Sequence, residues 1–249
     1  MDCSEGLGGF TRPERDGVAR ELSSTLALLL LLADRCNIDL PLSIQLKIQL
    51  NAEKYPAAIV RGSALKYDAY QATTGFGKGS KQVTTGGAGG DKHLSGHTGR
   101  AWSTHTLQGL RVQLQQFAKD RGWEKFHTPR NICLALSGEA GELCELFQFK
   151  DEEACCTGLP GWTRDERDKL SQELSDVCIY LTRLSDVCGI DLSAALLQND
   201  HSERPCCRKH EGHPTYHPEQ SRAGNRWTLA ACMLLGLAAT VVFAKHTRW

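Results

Sequence analysis

The chain has 249 residues, enough for one or two domains with a sizeable core. Its 29 Lys and Arg balance 29 Asp and Glu, so no net charge drives it onto nucleic acid, which is not an expected partner. Eleven scattered cysteines, an odd number, do not read as a secreted disulfide framework. They imply a reduced, cytoplasmic chain.

Residues 1–20 mix charges with several glycines and are expected to be irregular. Residues 22–33 are uncharged and Leu-rich. Twelve residues are too few to cross a bilayer and suit a buried helix. A signal peptide is disfavoured by Asp2, Glu5, Glu14, Asp16 and Glu21 around it. In residues 42–55, Leu42, Ile44, Leu46, Ile48 and Leu50 alternate, which favours a strand. The Gln- and Lys-rich polar positions favour a helix carrying Lys47, Asn51 and Lys54 on one face. Pattern alone leaves both open.

Residues 73–99 hold nine glycines and read as part of a flexible linker, with a span of about 29 Å from roughly 5–6 Å × √n. The Gly75–Lys81 stretch lacks the spacing and the strand-then-helix context of a phosphate loop. Three helices follow. Leu107, Leu110, Leu114 and Phe117 mark the first. Ile132, Leu136, Glu139, Leu143 and Leu146 mark the second, and Leu170, Leu174, Val177, Leu181, Leu184 and Cys188 the third. These 3-4 spacings are the seams of helices packed at shallow angles. Cys133, Cys144, Cys178 and Cys188 fall in these patterns as small apolar residues. Thr128-Pro129 supplies an N-cap, Thr163 to Glu166 a capping box, and Gly189 a stop.

Residues 201–226 are a polar linker. Cys206, Cys207, His210, His213 and His217 within it do not have zinc-finger spacing. Residues 227–244 run 18 positions without a charge, between Arg226 and Lys245. That meets the minimum for a membrane span, and the polar linker before it favours a tail anchor in an intracellular membrane over a buried helix.

The chain also repeats itself at an offset of 152. Over residues 21–40, ten of twenty positions match residues 173–192 without a gap. The first copy has Ser24 where the second has Asp176, and it lacks the two leading helices.

The chemistry centres on two carboxylate pairs, Glu139 with Glu142 and Glu173 with Asp176. Residues at i and i+3 share a helix face, so two neighbouring helices would gather four carboxylates. Glu139 even occupies an apolar seam position, where a lone carboxylate is costly unless a cation neutralises it. Glu and Asp oxygens suit Mg²⁺ or Mn²⁺, and the usual use of such a site is phosphate chemistry. No Ser/His/Asp or Cys/His nucleophilic arrangement is visible.

Three stretches carry a resemblance: Trp123 to Asn131, Gly138 to Gln148, and Glu173 to Asp176. They resemble the MazG-like nucleotide pyrophosphohydrolases, and within them the eukaryotic dCTP pyrophosphatases. The resemblance spans about residues 104–192, and again about 20–72. It implies an all-α four-helix bundle that assembles as a dimer or tetramer. The implied reaction is Mg²⁺-dependent hydrolysis of a deoxynucleoside triphosphate to monophosphate and pyrophosphate, which cleans the nucleotide pool. Glu139, Glu142, Glu173 and Asp176 would hold the metal. Trp123, His127 and Tyr180 would line the nucleotide pocket, together with Arg130 and Asn131 of the first motif. The chain departs from the pattern at Leu114, in place of a pocket histidine, and at Phe149, in place of a second pocket tryptophan. The family's Lys-x3-Asn-x2-(Lys/Arg)-Tyr-Pro helix survives only in the first copy, as Lys47, Asn51, Lys54, Tyr55 and Pro56. In the second copy those places hold Asn199, Glu203, Cys206, Cys207 and Arg208.

The expected organisation is a truncated first copy over 20–72, a linker over 73–103, and a pyrophosphohydrolase domain over 104–200. A linker over 201–226 and the tail helix over 227–244 complete it. The first copy's basic helix is expected to complete the second copy's site, within one chain or within an oligomer. The alternative is a non-catalytic, membrane-anchored oligomerisation protein.

Overall fold

The computed structural model describes residues 7, 9–65, 70 and 105–199. The expected linkers and the apolar segment 227–244 lie outside the described residues. Among the described residues, no helix is long and apolar enough to cross a membrane.

All regular structure among the described residues is helical. The first half supplies α1 (Arg12–Arg35), α2 (Leu40–Lys54) and the one-turn α3 (Ala57–Val60). The second half supplies α4 (Leu107–Asp120), α5 (Pro129–Gln148), α6 (Arg164–Val187) and α7 (Leu192–Asn199).

One of these differs from the sequence reading, and another settles what that reading left open. α1 begins at Arg12, inside the stretch expected to be irregular. Glu14 Oε2 accepts from the Thr11 N–H at 2.7 Å and Pro13 opens the first turn, so the start is capped. Arg15 Nη2 donates to the Leu7 carbonyl at 3.0 Å and ties down the lead-in. The ambiguous stretch is the helix α2. Asp39 caps it by accepting from the Leu42 N–H at 3.1 Å. Ile44 and Ile48, four apart, are buried, while Leu50 of the apparent alternation is 41 % exposed. Packing on α6 therefore chose the period.

The two halves share one core. α6 lies at its centre, packed against α5, α2, α1 and α4, while α7 packs on α1. Leu22, Leu26 and Leu40 of the first half and Leu170, Leu174 and Leu181 of the second are all fully buried in it. Leu114, at the place of the missing histidine, is a core residue too. The seven described cysteines are free thiols. Burial pushes Cys178 and Cys188 up to about 12, as befits apolar filler.

Polar contacts fix how the halves meet. The Gln45 and Gln113 amides bond reciprocally at 3.1 Å between α2 and α4. Arg121, almost wholly buried, donates to the Tyr55 carbonyl at 2.8 Å and stacks 3.5 Å from the Phe117 ring centre. Next to it Gly122 has φ +60°, and a Cβ there would meet the Gly62 nitrogen at 3.2 Å. At the other end of the molecule the Gly158 N–H bonds the Arg35 carbonyl at 2.8 Å. The start of α6 thus sits beside the end of α1, and the two helices run antiparallel.

The repeat extends further than sequence identity suggested. α1 and α6 are both 24 residues long and start 152 residues apart. Thr163 forms the same capping box with Glu166 as Thr11 forms with Glu14. Arg167 reaches the Leu159 carbonyl at 2.6 Å as Arg15 reaches Leu7. Both helices end in a left-handed residue, Asn37 at φ 56° and Gly189 at φ 67°.

A shared core makes a measurable demand. Leu22→Ala and Leu174→Ala, at equivalent buried positions, should each cost about 2–5 kcal/mol. Both should lower one and the same cooperative transition in thermal denaturation. Two separable transitions would contradict a core held in common.

Candidate active site

α5 and α6 each deliver one carboxylate pair, and α2 delivers a lysine between them. Glu139, Glu142 and Glu173 each place an oxygen within 4.8 Å of the others. Asp176, on the same face of α6 as Glu173, lies with its Oδ2 2.5 Å from Lys47 Nζ. Of the four, Glu142 is exposed and Asp176 is buried.

Burial first, and then the charges of Asp176, Glu142 and Glu173, push the Glu139 carboxyl up to about 7. Glu173 and Asp176 are raised as well, again by burial foremost and against the pull of Lys47. One Glu173 oxygen is buried with no hydrogen-bond partner. Three converging carboxylates with an orphaned buried oxygen form an all-oxygen donor set. That set fits a hard divalent cation of the Mg²⁺ or Mn²⁺ type.

An aromatic cluster adjoins the carboxylates. Trp123 meets Tyr55 edge-on with ring centres 5.5 Å apart, and His127 lies 6.3 Å away. The Trp123 indole N–H donates to the Ser63 carbonyl at 2.5 Å. Tyr180 joins the two groups. Burial and the fields of Glu139, Asp176 and Tyr55 raise its hydroxyl pKa.

His127 is held by residues that sequence reasoning did not single out. Arg183 Nε donates to His127 Nδ1 at 2.9 Å, so the imidazole is neutral and carries its proton on Nε2. Burial, then the Arg183 charge, pulls its pKa down to about 4. Arg183 is itself braced by Asp186, which also accepts from Arg111 at 3.0 Å and Gln115 at 2.7 Å. The available sequence signal was the Arg183/Asp186 pair at i,i+3 on α6. Its partners on α4 were invisible because they come from 70 or more positions away.

The remaining expected site residues fare differently. Asn51 is partly buried one turn beyond Lys47. Lys54 is exposed, but its charge is felt at Asp176. Arg130 and Asn131 are exposed on the first turn of α5, where the Asn131 amide donates to the Phe126 carbonyl at 2.9 Å. Phe149 does not join the aromatic cluster in this chain. It stands 90 % exposed at the far end of α5, about 30 Å along the helix from Thr128 at 1.5 Å per residue.

The cluster has a pH signature. Without metal, the folded chain keeps the Glu139 proton up to about pH 7, whereas the unfolded chain releases it near 4.5. The folded state binds more protons across that window, so this stabilising contribution is lost as pH rises from 4.5 to 7. In chelator, Glu139→Gln should therefore gain Tm relative to wild type as pH increases over that range. A constant Tm difference would show that Glu139 is not crowded as described.

No family model matches the chain. Among curated proteins, it is 50% identical over 92 residues to dCTP pyrophosphatase 1 from Homo sapiens, covering 37% of this chain and 53% of that protein. It is 48% identical over 95 residues to dCTP pyrophosphatase 1 from Bos taurus, covering 38% and 55%. The Rattus norvegicus protein of the same name matches at 46% over 99 residues, covering 40% and 57%. The chain spans about half the length of these curated relatives. Over that stretch the expected resemblance is borne out: the chain is similar to dCTP pyrophosphatase 1.

Proposed function

We propose that the chain hydrolyses a pyrimidine deoxynucleoside triphosphate, dCTP or a base-modified dCTP, to the monophosphate and pyrophosphate. Glu139, Glu142, Glu173 and Asp176 would hold Mg²⁺, or Mn²⁺. The observation that carries this reading is the convergence of three carboxylates within 4.8 Å, with Lys47 against the fourth. The similarity to dCTP pyrophosphatase 1 supports the substrate class.

When bound, the metal would polarise phosphoryl oxygens and offset developing charge. Water would attack the α-phosphorus, and the bond to the bridging oxygen would break to release pyrophosphate. Glu142 is the cluster member open to solvent and is the candidate base. Lys47 and Lys54 place positive charge beside the carboxylates, where a triphosphate needs it. Trp123, Tyr55 and Tyr180 offer ring surface for the base. The Nε2–H of neutral His127 is a donor for a pyrimidine acceptor. Self-association into a homo-oligomer fits the exposed Val112, Leu134, Leu197 and Phe149. The segment 227–244 would tether that oligomer to an intracellular membrane.

Pyrophosphate release from dCTP with Mg²⁺ tests the reading. Glu173→Gln should lower turnover by about 10²–10³-fold, the scale for removing one transition-state electrostatic contact. Lys47→Ala should also lower it markedly. Lys47 meets the cluster within one chain, so mixing the Lys47→Ala and Glu173→Gln chains should restore nothing. No release from wild type would favour the non-catalytic alternative instead.

A further inference from the structure

We infer that the chain is an internal pseudo-dimer: its own two-fold repeat lays out two equivalent sites, and only one of them can hold a divalent cation. This rests on the proposed cation cluster but not on the proposed substrate.

The repeat units are α1 with α2 and α6 with α7. Their first helices match in length, caps and closing turns, and in the arginine that secures each lead-in. Even the caps of their second helices correspond. Asp39 accepts from Leu42 N–H at 3.1 Å, and Asp191 from Ala194 N–H at 2.9 Å.

The units exchange their second helices. α2 packs on α6, and α7 packs on α1. A site therefore takes its carboxylates from the first helix of one unit and its basic residue from the second helix of the other. In the first site those parts are Glu173 and Asp176 on α6 with Lys47 on α2, joined at 2.5 Å. In the other the equivalent parts are Glu21 and Ser24 on α1, with Asn199 at the Lys47 position of α7.

The aspartate and the lysine are thus absent together. Losing one alone would leave a buried charge without its partner, which costs several kcal/mol. Without both, neither position carries a charge. The cover has gone as well. Ser24 is exposed where Asp176 is buried, and Leu31 is 50 % exposed where the Arg183 side chain is 11 % exposed. α5 supplies that cover to α6, together with two further carboxylates.

It follows that α2 supplies from within the chain what a second copy of the repeat would supply in a symmetric pair. Among the described residues the second site keeps one acidic residue, Glu21, too few for a divalent cation.

Equilibrium dialysis of the full chain with Mn²⁺ alone, read by electron paramagnetic resonance, tests this. All saturable Mn²⁺ should belong to one cluster. The Glu139→Gln, Glu173→Gln double variant should bind it more than about tenfold more weakly, the loss expected for disturbing a metal's ligand shell. Glu21→Gln should bind the wild-type amount. Removing crowded buried carboxylates relieves repulsion, so unchanged helical circular dichroism is expected and confirms folding. Half of the bound Mn²⁺ surviving in the double variant, or a loss of half in Glu21→Gln, would overturn the inference. The expected Mn²⁺ pattern without any dCTP hydrolysis would support it while refuting the substrate reading.

Discussion

The rest of the structure depends on how four carboxylates can be kept at one place in a helical core. Like charges within 4.8 Å repel, and burial removes the water that would screen them. The chain answers with one internal cation. Lys47 pairs with Asp176, the most buried of the four, and leaves Glu139, Glu142 and Glu173 facing one another. What is left over appears as the raised Glu139 carboxyl and the orphaned Glu173 oxygen. A site left short of positive charge in this way is suited to gaining it from a ligand.

That single ion pair also explains why the first half must be part of the same body. Lys47 reaches Asp176 only because Ile44 and Ile48 bury the adjoining face of α2 in the common core. The ends are secured separately, by Arg121 on the Tyr55 carbonyl and by Gly158 on the Arg35 carbonyl. The same docking brings Tyr55 against Trp123, so the basic and aromatic contributions of the first half arrive together. The second polar centre joins Asp186 with Arg111, Gln115 and Arg183 and reaches the rings through His127. It settles which nitrogen of His127 carries the proton.

The repeat makes these contributions intelligible as one event. A duplicated helix pair folded back on its parent exchanges second helices with it, as two separate copies could. Once joined, the two halves no longer need to be alike. One carries the acidic pair and the other the basic helix, and the equivalent positions Ser24 and Asn199 are neutral.

Local chemistry made much of this legible in the sequence. The seams of α5 and α6, the caps at Thr128 and Thr163, and the two carboxylate pairs depend on spacings of three and four residues, which a chain displays on its face. The start of α1 was missed, although its capping box was equally local, because glycines and mixed charge dominate that stretch. For α2, alternation and helical polarity conflicted, and packing against α6 decided. The Lys47–Asp176 contact, the Asp186 hub and the exposure of Phe149 join or separate residues through the fold. By itself the sequence determined which side chains face together along each helix, because that follows from 3.6 residues per turn. Only the tertiary structure decided which helices share a face, because that depends on which apolar surfaces bury each other most completely.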